Sequence, residues 1–283
     1  MERMLNLPDV TLVLIETREH DLAQMALEDC ERNAEFGDVL VFTDRASQFM
    51  RADRRVITVE DWPNKQGWSK CFWYDVALHV RTSHALCIQW DSWIVAPEMW
   101  RDEYLEYDYI GAPWWYQDGM NVGNGGFCMR STKLLRYIRK HRDHFPCTTD
   151  LDDDLYCRKY RPALQADGFE WAPEPLAQDF AFECVRPDKS ARHFGFHAAY
   201  NFDYGCEENE ERIMERARIM AQSNYICKNN GYIWKGFTKR LPWVVDRLGA
   251  SPPQGRWGDF LLPEEAEALH LHGAGNTGER DLG

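Results

Sequence analysis

The sequence lacks several features that would place it in a familiar class of protein. Its nine cysteines include no C-x-x-C pair, so neither a zinc ribbon nor a dithiol redox motif is supported. No G-x-G-x-x-G follows the first predicted strand, which removes the dinucleotide-binding fingerprint. Basic residues are outnumbered by acidic ones, 33 against 46. The resulting net charge of -13 argues against non-specific binding to nucleic acid or to anionic lipid.

Long apolar runs are also absent. No apolar stretch approaches the roughly 20 residues that cross a bilayer, and the first residues contain no apolar signal-peptide core. Several cysteines lie in apolar strand or helix patterns, as buried free thiols do, which favours a reducing compartment. We therefore expect a cytoplasmic protein with no transmembrane segment, and peripheral association with a surface stays open.

The first half of the chain alternates apolar strands with helical patterns. Strands are predicted at residues 10–16, 38–44, 55–59 and 85–91, and helices at about 21–33, from near 69 to 80 and, as a short amphipathic helix, at 97–106. This alternation predicts an α/β fold with a Rossmann-type, mostly parallel central sheet flanked by helices. With 44% hydrophobic residues in 283, the chain can build a substantial core.

The strand at residues 85–91 ends in a carboxylate. Its apolar run predicts a central parallel strand buried on both faces, where an unpaired charge is costly. At the carboxyl end of such a sheet, Asp91 would face the crevice where open α/β sheets bind ligands. It could there hold a divalent cation that neutralises a diphosphate. The alternative is that Asp91 caps the next helix, and the sequence leaves both interpretations open.

Residues 122–126, here called the glycine segment, contain three glycines before an apolar strand. Gly123, Gly125 and Gly126 permit a close approach of backbone to ligand, although a tight turn or β-bulge needs the same residues. Ser131 is then predicted to cap a helix that reaches about residue 141.

Residues 150–154, here called the acidic run, contain four carboxylates in five positions. Such a run repels itself unless it is solvated, caps a helix or meets a cation. A helix beginning here would explain one or two of the aspartates through its dipole, but not readily four.

The end of the chain differs from its first two hundred residues. Short strands are predicted at 180–183 and at 194–197, the second of which ends in His197, and a charged helix is predicted at 207–222. From about residue 251 the composition turns to Gly, Pro and charge, which predicts a poorly ordered tail. We expect a catalytic domain at 1–206, a helical extension at 207–250 and a flexible tail at 251–283.

Four motifs occur in the order Gln89-x-Asp91-Ser92, Tyr107–Trp114, Val122–Phe127 and Phe194–His197. Together they resemble a bacterial glycosyltransferase-like family with the GT-A fold, and the likeness extends over roughly residues 10–200. Trp68-Ser-Lys70 before a helix and Gln89-Trp-Asp91 is similar to the lysine–helix–strand–D-x-D arrangement of nucleotide-sugar transferases such as glycogenin. Residues 152–156 are similar to the E-D-D-D-I-Y segment of β-1,4-galactosyltransferases.

The resemblance implies a metal site and a donor site. It makes Asp91 and His197 the ligands of Mn²⁺ or Mg²⁺. Gln89 stands where the first Asp of D-x-D would be, so that metal binding is weakened, water-mediated or lost. Gly125 and Gly126 resemble the loop that approaches the donor sugar. The topology of a parallel sheet adds the strand-end group Thr17, Arg18 and Asp44 as predicted donor-binding residues, with ordinary strand-end polarity as the alternative. Lys70 either reaches a phosphate or is simply solvated.

The resemblance also implies a general base within the acidic run. Asp153 and Asp154 align with the x-E-D motif of inverting enzymes, and the galactosyltransferase alignment shifts the role to Asp152. Asp154 is the first choice and Asp152 the second. Inverting transfer is preferred, but Lys70 resembles a feature of retaining enzymes, so the stereochemistry stays open.

These expectations describe a glycosyltransferase that moves a sugar from a nucleotide-sugar donor, a UDP-sugar being favoured, to a hydroxyl acceptor. The acceptor would be a glycan or polysaccharide. Two other classes remain: a nucleotidyltransferase on a similar sheet, and a non-catalytic protein that binds a carbohydrate or nucleotide-sugar. Donor hydrolysis with and without Mn²⁺ separates the three.

Overall fold

The fold is built around a mixed six-stranded sheet. The computed structural model describes residues 4–62, 65–149, 151–183, 191–202, 210–223, 226 and 240–249. Its strands are β1 (Leu5–Ile15), β2 (Ala34–Thr43), β3 (Arg55–Thr58), β4 (His84–Ile88), β5 (Trp93–Ile94), β6 (Tyr109–Gly111), β7 (Phe127–Ser131), β8 (Ala181–Phe182) and β9 (Gly195–Phe196).

The described helices lie between and after these strands. They are α1 (His20–Asn33), α2 (Ala46–Phe49), α3 (Lys65–Lys70), α4 (Val76–His79), α5 (Thr132–Lys140), α6 (Asp152–Asp154), α7 (Arg161–Ala166), α8 (Glu174–Phe180), α9 (Glu210–Gln222) and α10 (Pro242–Leu248). A π-helical turn at Cys71–Asp75 joins α3 to α4, and another at Leu155–Lys159 follows α6.

The central sheet has the strand order β3-β2-β1-β4-β7-β6. The four strands from β3 to β4 are parallel, and β7 runs antiparallel to both β4 and β6. A small second sheet, in the order β5-β9-β8, lies after the carboxyl end of β4 in the chain. The prediction of an α/β fold with a mostly parallel central sheet flanked by helices is therefore confirmed.

Both faces of the central sheet are covered, which explains its continuous apolar strands. Alternate side chains of β1 enter opposite cores: Leu12 and Leu14 join one, Val13 and Ile15 the other. Helix α1 packs its apolar stripe into the first core, while α5 and the π-helical turn at Cys71–Asp75 fill the second. Period-two alternation therefore buries every residue from Val10 to Ile15.

Four local predictions need correction. Strand β4 ends at Ile88, so Gln89 to Asp91 form a turn, and β4 is parallel only to β1. The helix predicted from near residue 69 begins at Lys65, which places Lys70 beyond its first turn. Residues 97–106 form two 3₁₀ turns instead of one helix. The strand predicted at 180–183 is shorter because α8 continues to Phe180.

The helical cap prediction is confirmed at α5. The hydroxyl of Ser131 accepts a 3.0 Å hydrogen bond from the backbone N–H of Leu134. The six cysteines in the described ranges are buried free thiols, as expected: Cys30, Cys71, Cys87, Cys128, Cys147 and Cys157.

The extension after the sheet is described in part. Helix α9 packs on α1, where the buried guanidinium of Arg216 pairs with Asp29. The predicted tail at 251–283 lies outside the described residues. None of the helices in the described part of the chain combines the length and the apolar character needed to cross a membrane.

Candidate active site

Asp91 follows β4 in a tight turn that holds its carboxylate near His197. The hydroxyl of Ser92 fixes the turn because it accepts from the Gln89 N–H at 2.9 Å and donates to the Gly126 carbonyl at 2.6 Å. The Asp91 side chain is buried, and its Oδ1 has no hydrogen-bond partner among the residues that the structure describes. This oxygen lies 3.4 Å from Nε2 of His197. The structure thus brings together the two predicted metal ligands.

His197 follows β9 and is held between two carboxylates. Its Nδ1 lies 2.8 Å from Oε1 of Glu183, while Nε2 faces Asp91. Nδ1 is also 3.1 Å from the side-chain nitrogen of Asn124. Burial lowers the pKa of His197, but the charges of Asp91 and Glu183 outweigh it, so the pKa lies well above its ordinary value.

The glycine segment makes room for the imidazole. A Cβ on Gly126 would lie 2.1 Å from His197 Nε2, so no larger residue fits without displacing the ring. Asn124, with a φ of +70°, shapes the turn: its Oδ1 accepts from the backbone N–H groups of Gly126 and Phe127 at 2.9 and 3.0 Å. The segment is therefore a tight turn and also a close approach of backbone to a functional side chain.

Asp152, the first described aspartate of the acidic run, forms a buried ion pair in the core. Its carboxylate accepts a 2.7 Å hydrogen bond from Arg130, and both side chains are almost fully buried. The Arg130 guanidinium lies 3.9 Å from the ring centre of Phe72 and 4.2 Å from that of Tyr156. A desolvated arginine needs this partner, which commits the Asp152 carboxylate to a structural ion pair.

Asp153 contacts the glycine segment. Its Oδ2 accepts from the Gly125 N–H at 3.1 Å, and its Oδ1 accepts from the Asp154 N–H at 2.9 Å. Burial, followed by the charges of Asp152 and Glu183, raises the pKa of Asp153 to about 7. Asp153 and His197 therefore contact neighbouring glycines, Gly125 and Gly126. Asp154 is half-buried on the same helical turn, and Asp150 lies outside the described residues.

The other predicted donor-binding residues lie at the carboxyl ends of β1 and β2, on the sheet edge from which Asp91 emerges. Thr17 is buried, and its N–H donates to the Glu16 carboxylate at 3.0 Å. The Asp44 carboxylate lies 2.6 Å from His20 Nε2. Lys70 is exposed at the end of α3. The contacts described above join Thr17 and Asp44 to Glu16 and His20, within the described part of the chain, and not to His197 or Asp153.

Sequence reasoning missed Glu183, Asn124 and Arg130. Glu183 follows the short strand β8 just as Asp91 follows β4, so the same strand-end signal was present. An Asn directly before two glycines is typical of a positive-φ turn. An arginine in the apolar strand β7 indicates a buried partner, although not which aspartate provides it.

The donor set at the Asp91–His197 pair suits a hard divalent cation only in part. A carboxylate oxygen and an imidazole nitrogen are both ligands of Mn²⁺ and Mg²⁺ sites. Within the described ranges, however, no group of three or more His, Cys, Asp and Glu side chains is arranged to hold a metal ion. A cation here would need further oxygen ligands from solvent or from a bound diphosphate.

Comparison with known proteins identifies a family. The model of the family described as "Protein of unknown function (DUF5672)" matches residues 46–197, which include β4, the glycine segment, the acidic run and His197. No curated protein sequence matches the chain significantly.

Among solved structures, the apo-form glycosyltransferase GlyE of Streptococcus pneumoniae TIGR4 is similar with a TM-score of 0.42 and 10% identity. The match covers 67% of this chain and 54% of that chain, so this chain spans about half the length of GlyE.

Proposed function

We propose that this chain, which belongs to the DUF5672 family, is a glycosyltransferase that moves a sugar from a nucleotide-sugar donor to a hydroxyl acceptor. The observation that carries the proposal is the placement of two groups on adjacent glycines. The Asp91–His197 pair lies against Gly126, and Asp153 accepts from the N–H of Gly125. Sugar transfer needs both a site for the leaving diphosphate and a base for the acceptor hydroxyl.

The Asp91–His197 pair would hold Mn²⁺ or Mg²⁺ on the donor diphosphate. Its fit rests on the buried Oδ1 of Asp91, which faces His197 Nε2 and accepts no hydrogen bond from the described part of the chain. Metal-bound histidines commonly donate their second N–H to a carboxylate, and Glu183 lies in that position beside Nδ1. When bound, the cation would neutralise charge on the leaving diphosphate. Without it, this acidic site would repel a nucleotide-sugar.

Asp153 is the best candidate for the base among the three described aspartates. Asp152 is committed to Arg130, whereas Asp153 has a pKa of about 7 and is held by a backbone N–H. A carboxylate with this pKa can accept a proton near neutral pH. It would take the proton of the acceptor hydroxyl while that oxygen bonds to the anomeric carbon and the diphosphate departs. This step inverts the anomeric configuration. Asp154 follows as the second candidate.

The nucleotide would lie at the ends of β1 and β2. Thr17, Arg18 and Asp44 share the sheet edge of Asp91, which is the ligand-binding edge of parallel sheets. Lys70, exposed on α3, would be available to a donor phosphate. A UDP-sugar donor and a glycan acceptor complete the proposal.

One observation favours a second candidate, a non-catalytic nucleotide-sugar-binding protein. Gln89 stands where a further carboxylate ligand would be. The described site therefore offers a cation two side chains, Asp91 and His197. Such a protein would bind the donor and metal without turnover.

The test is a thermal-shift and donor-hydrolysis screen with UDP-, GDP- and dTDP-sugars, in Mn²⁺ or in EDTA. We expect Mn²⁺-dependent stabilisation and slow hydrolysis by the wild type, and loss of both in Asp91→Asn. Asp53→Asn is the matched control, because Asp53 precedes β3 at the opposite edge of the sheet. A donor affinity that is unchanged by both EDTA and Asp91→Asn would contradict the metal site. Metal-dependent binding without hydrolysis or transfer favours the second candidate.

A further inference from the structure

Residues 114–121, here called the aromatic loop, form a surface feature that the proposed chemistry leaves unexplained. The loop is closed at its base by a bridge between Pro113 and Val122, and by a 2.6 Å hydrogen bond from the Trp114 N–H to the Asn121 carbonyl. Its sequence places three aromatic side chains together: Trp114, Trp115 and Tyr116.

The first attachment of the loop is to the glycine segment. The six-membered part of the Trp114 ring lies against Gly123, where an added Cβ would come within 2.3 Å of the indole. Trp114 also packs with the core that contains Tyr156 and Phe72. The loop therefore begins in contact with the segment that contacts His197.

The second attachment is to the helix of the acidic run. Arg158, one helical turn after Asp154, donates to the two carboxylate oxygens of Asp118 at 2.9 and 2.7 Å. The same guanidinium lies 3.8 Å from the ring centre of Tyr116. Burial raises the pKa of the Tyr116 phenol, and although Arg158 opposes the shift, the charges of Asp154 and Asp153 add to it. Through Arg158, Tyr116 therefore contacts the helical turn that directly follows Asp153 and Asp154.

Trp115 is the exposed end of this arrangement. Its ring lies 5.3 Å from the Tyr116 ring, and 42% of the residue is exposed to solvent. Leaving an indole in water is unfavourable, and a loop already fixed by Trp114 and Arg158 does not need it for folding. The carboxylates of Asp118, Asp153 and Asp154, whose charges act on the adjacent Tyr116, disfavour an anionic ligand. A neutral pyranose ring has an apolar C–H face for the indole and hydroxyls for the carboxylates.

We propose that Trp115 is the stacking platform for the acceptor, and that the acceptor is therefore a glycoside whose hydroxyl is presented to the acidic run. The inference rests on the proposed function and assigns a binding residue to its glycan acceptor. It distinguishes a sugar acceptor from a peptide hydroxyl or a simple alcohol.

The experiment measures binding of the full chain to an array of immobilised neutral oligosaccharides. We compare wild type with Trp115→Ala and Trp115→Phe. Leu78→Ala is the control, because it removes an exposed apolar side chain elsewhere on the surface, on α4. We expect Trp115→Ala to weaken glycan binding about fivefold or more, because aromatic stacking is worth that much in comparable contacts. Trp115→Phe should retain most of the binding, and Leu78→Ala all of it.

Donor hydrolysis, measured in parallel, separates this inference from the proposed function. Because water replaces the acceptor, hydrolysis should be the same in Trp115→Ala and wild type. Glycan binding that depends on Trp115 without any donor turnover supports the platform and refutes the transferase. The platform is overturned if wild type binds no oligosaccharide, if Trp115→Ala binds glycans as well as wild type, or if choline or a serine peptide is the ligand that depends on Trp115.

Discussion

Two carboxylates at the same edge of the sheet have opposite surroundings. Glu16 follows β1, and its Oε1 accepts from three consecutive backbone N–H groups, at 3.0, 2.7 and 3.1 Å. Asp91 follows β4, and its buried Oδ1 accepts no hydrogen bond from any residue in the described ranges. Glu16 therefore has a structural role, because its hydrogen bonds order the turn into α1. Asp91 has capacity left for a ligand, and this difference locates the candidate site better than acidity alone.

The same contrast appears within the acidic run. Asp152 is bound to the buried Arg130, whereas Asp153 reaches the glycine segment and has a raised pKa. Adjacent aspartates thus differ in what their carboxylates can do. The predictions below test these two contrasts.

The largest effect on activity is expected at the candidate base, Asp153. Asp153→Asn should reduce transfer by about 10²–10⁴-fold, the usual contribution of a positioned acid–base group. Donor affinity should persist, because the base acts on the acceptor. Turnover is measured beside donor affinity for Asp153→Asn and for Asp154→Asn, which we expect to retain more than a tenth of wild-type activity. Equal turnover in Asp153→Asn and wild type would remove Asp153 from the mechanism.

The structural role of Asp152, the other member of that contrast, is tested by Arg130→Met. Removing the guanidinium leaves Asp152 buried without its partner, which should lower the free energy of unfolding by about 3–5 kcal/mol. Chemical denaturation measures the change. Arg158→Met is the control, because its partner Asp118 is far more exposed and surface pairs contribute only about 0–1 kcal/mol. Similar losses in the two variants would contradict a special role for the buried pair.

The contrast at the strand ends predicts different effects of two glutamates. Glu183→Gln removes the carboxylate beside His197 Nδ1 and should weaken Mn²⁺ binding about 10–100-fold. Glu16→Gln should leave Mn²⁺ affinity unchanged, since Glu16 accepts from the backbone N–H groups of its own turn and lies after a different strand from Asp91. Electron paramagnetic resonance of Mn²⁺ measures both without requiring turnover. Equal affinities in Glu183→Gln and wild type would show that Glu183 does not orient the ligand.

The pH dependence follows from the raised pKa of Asp153, about 7 in the folded chain against an ordinary 3.8. A base must be deprotonated, so turnover should fall about tenfold for each pH unit below 7. The folded state also holds this proton more tightly than the unfolded state. Its contribution to stability is therefore complete below about pH 4 and is lost as the pH rises towards 7. Asp153→Asn should lack both trends in pH–rate and pH–unfolding profiles.

The smallest effect is expected at the end of β2. Asp44 already contacts His20, so only part of its carboxylate is available to a nucleotide. Asp44→Asn should weaken donor binding by no more than about fivefold, equivalent to one ordinary hydrogen bond. Isothermal titration with the donor found in the screen measures this change. A loss comparable to that of Asp91→Asn would mean that the strand-end contrast does not separate structural from ligand-binding carboxylates.

Local patterns were sufficient for much of the fold. The apolar strands, the stripe of α1 and the Ser131 cap follow from side-chain period and from hydrogen bonds within a few residues, so a single sequence contains them. Their ends were harder to predict, because competing contacts decide them. The Ser92 hydroxyl bonds to the Gly126 carbonyl and so helps to turn the chain before Asp91.

The sequence by itself determined the α/β class, the covered parallel strands, the need for glycine near residue 126 and the presence of acidic strand ends. Only the tertiary structure decided which carboxylates form structural contacts and which can bind a ligand. Asp91 and His197 are 106 positions apart, and Arg130 could have paired with any aspartate of the acidic run. Such pairings depend on which elements the sheet and its crossovers bring together, and burial then sets the cost of leaving each charge unpaired. Periodicity carries no information about either quantity.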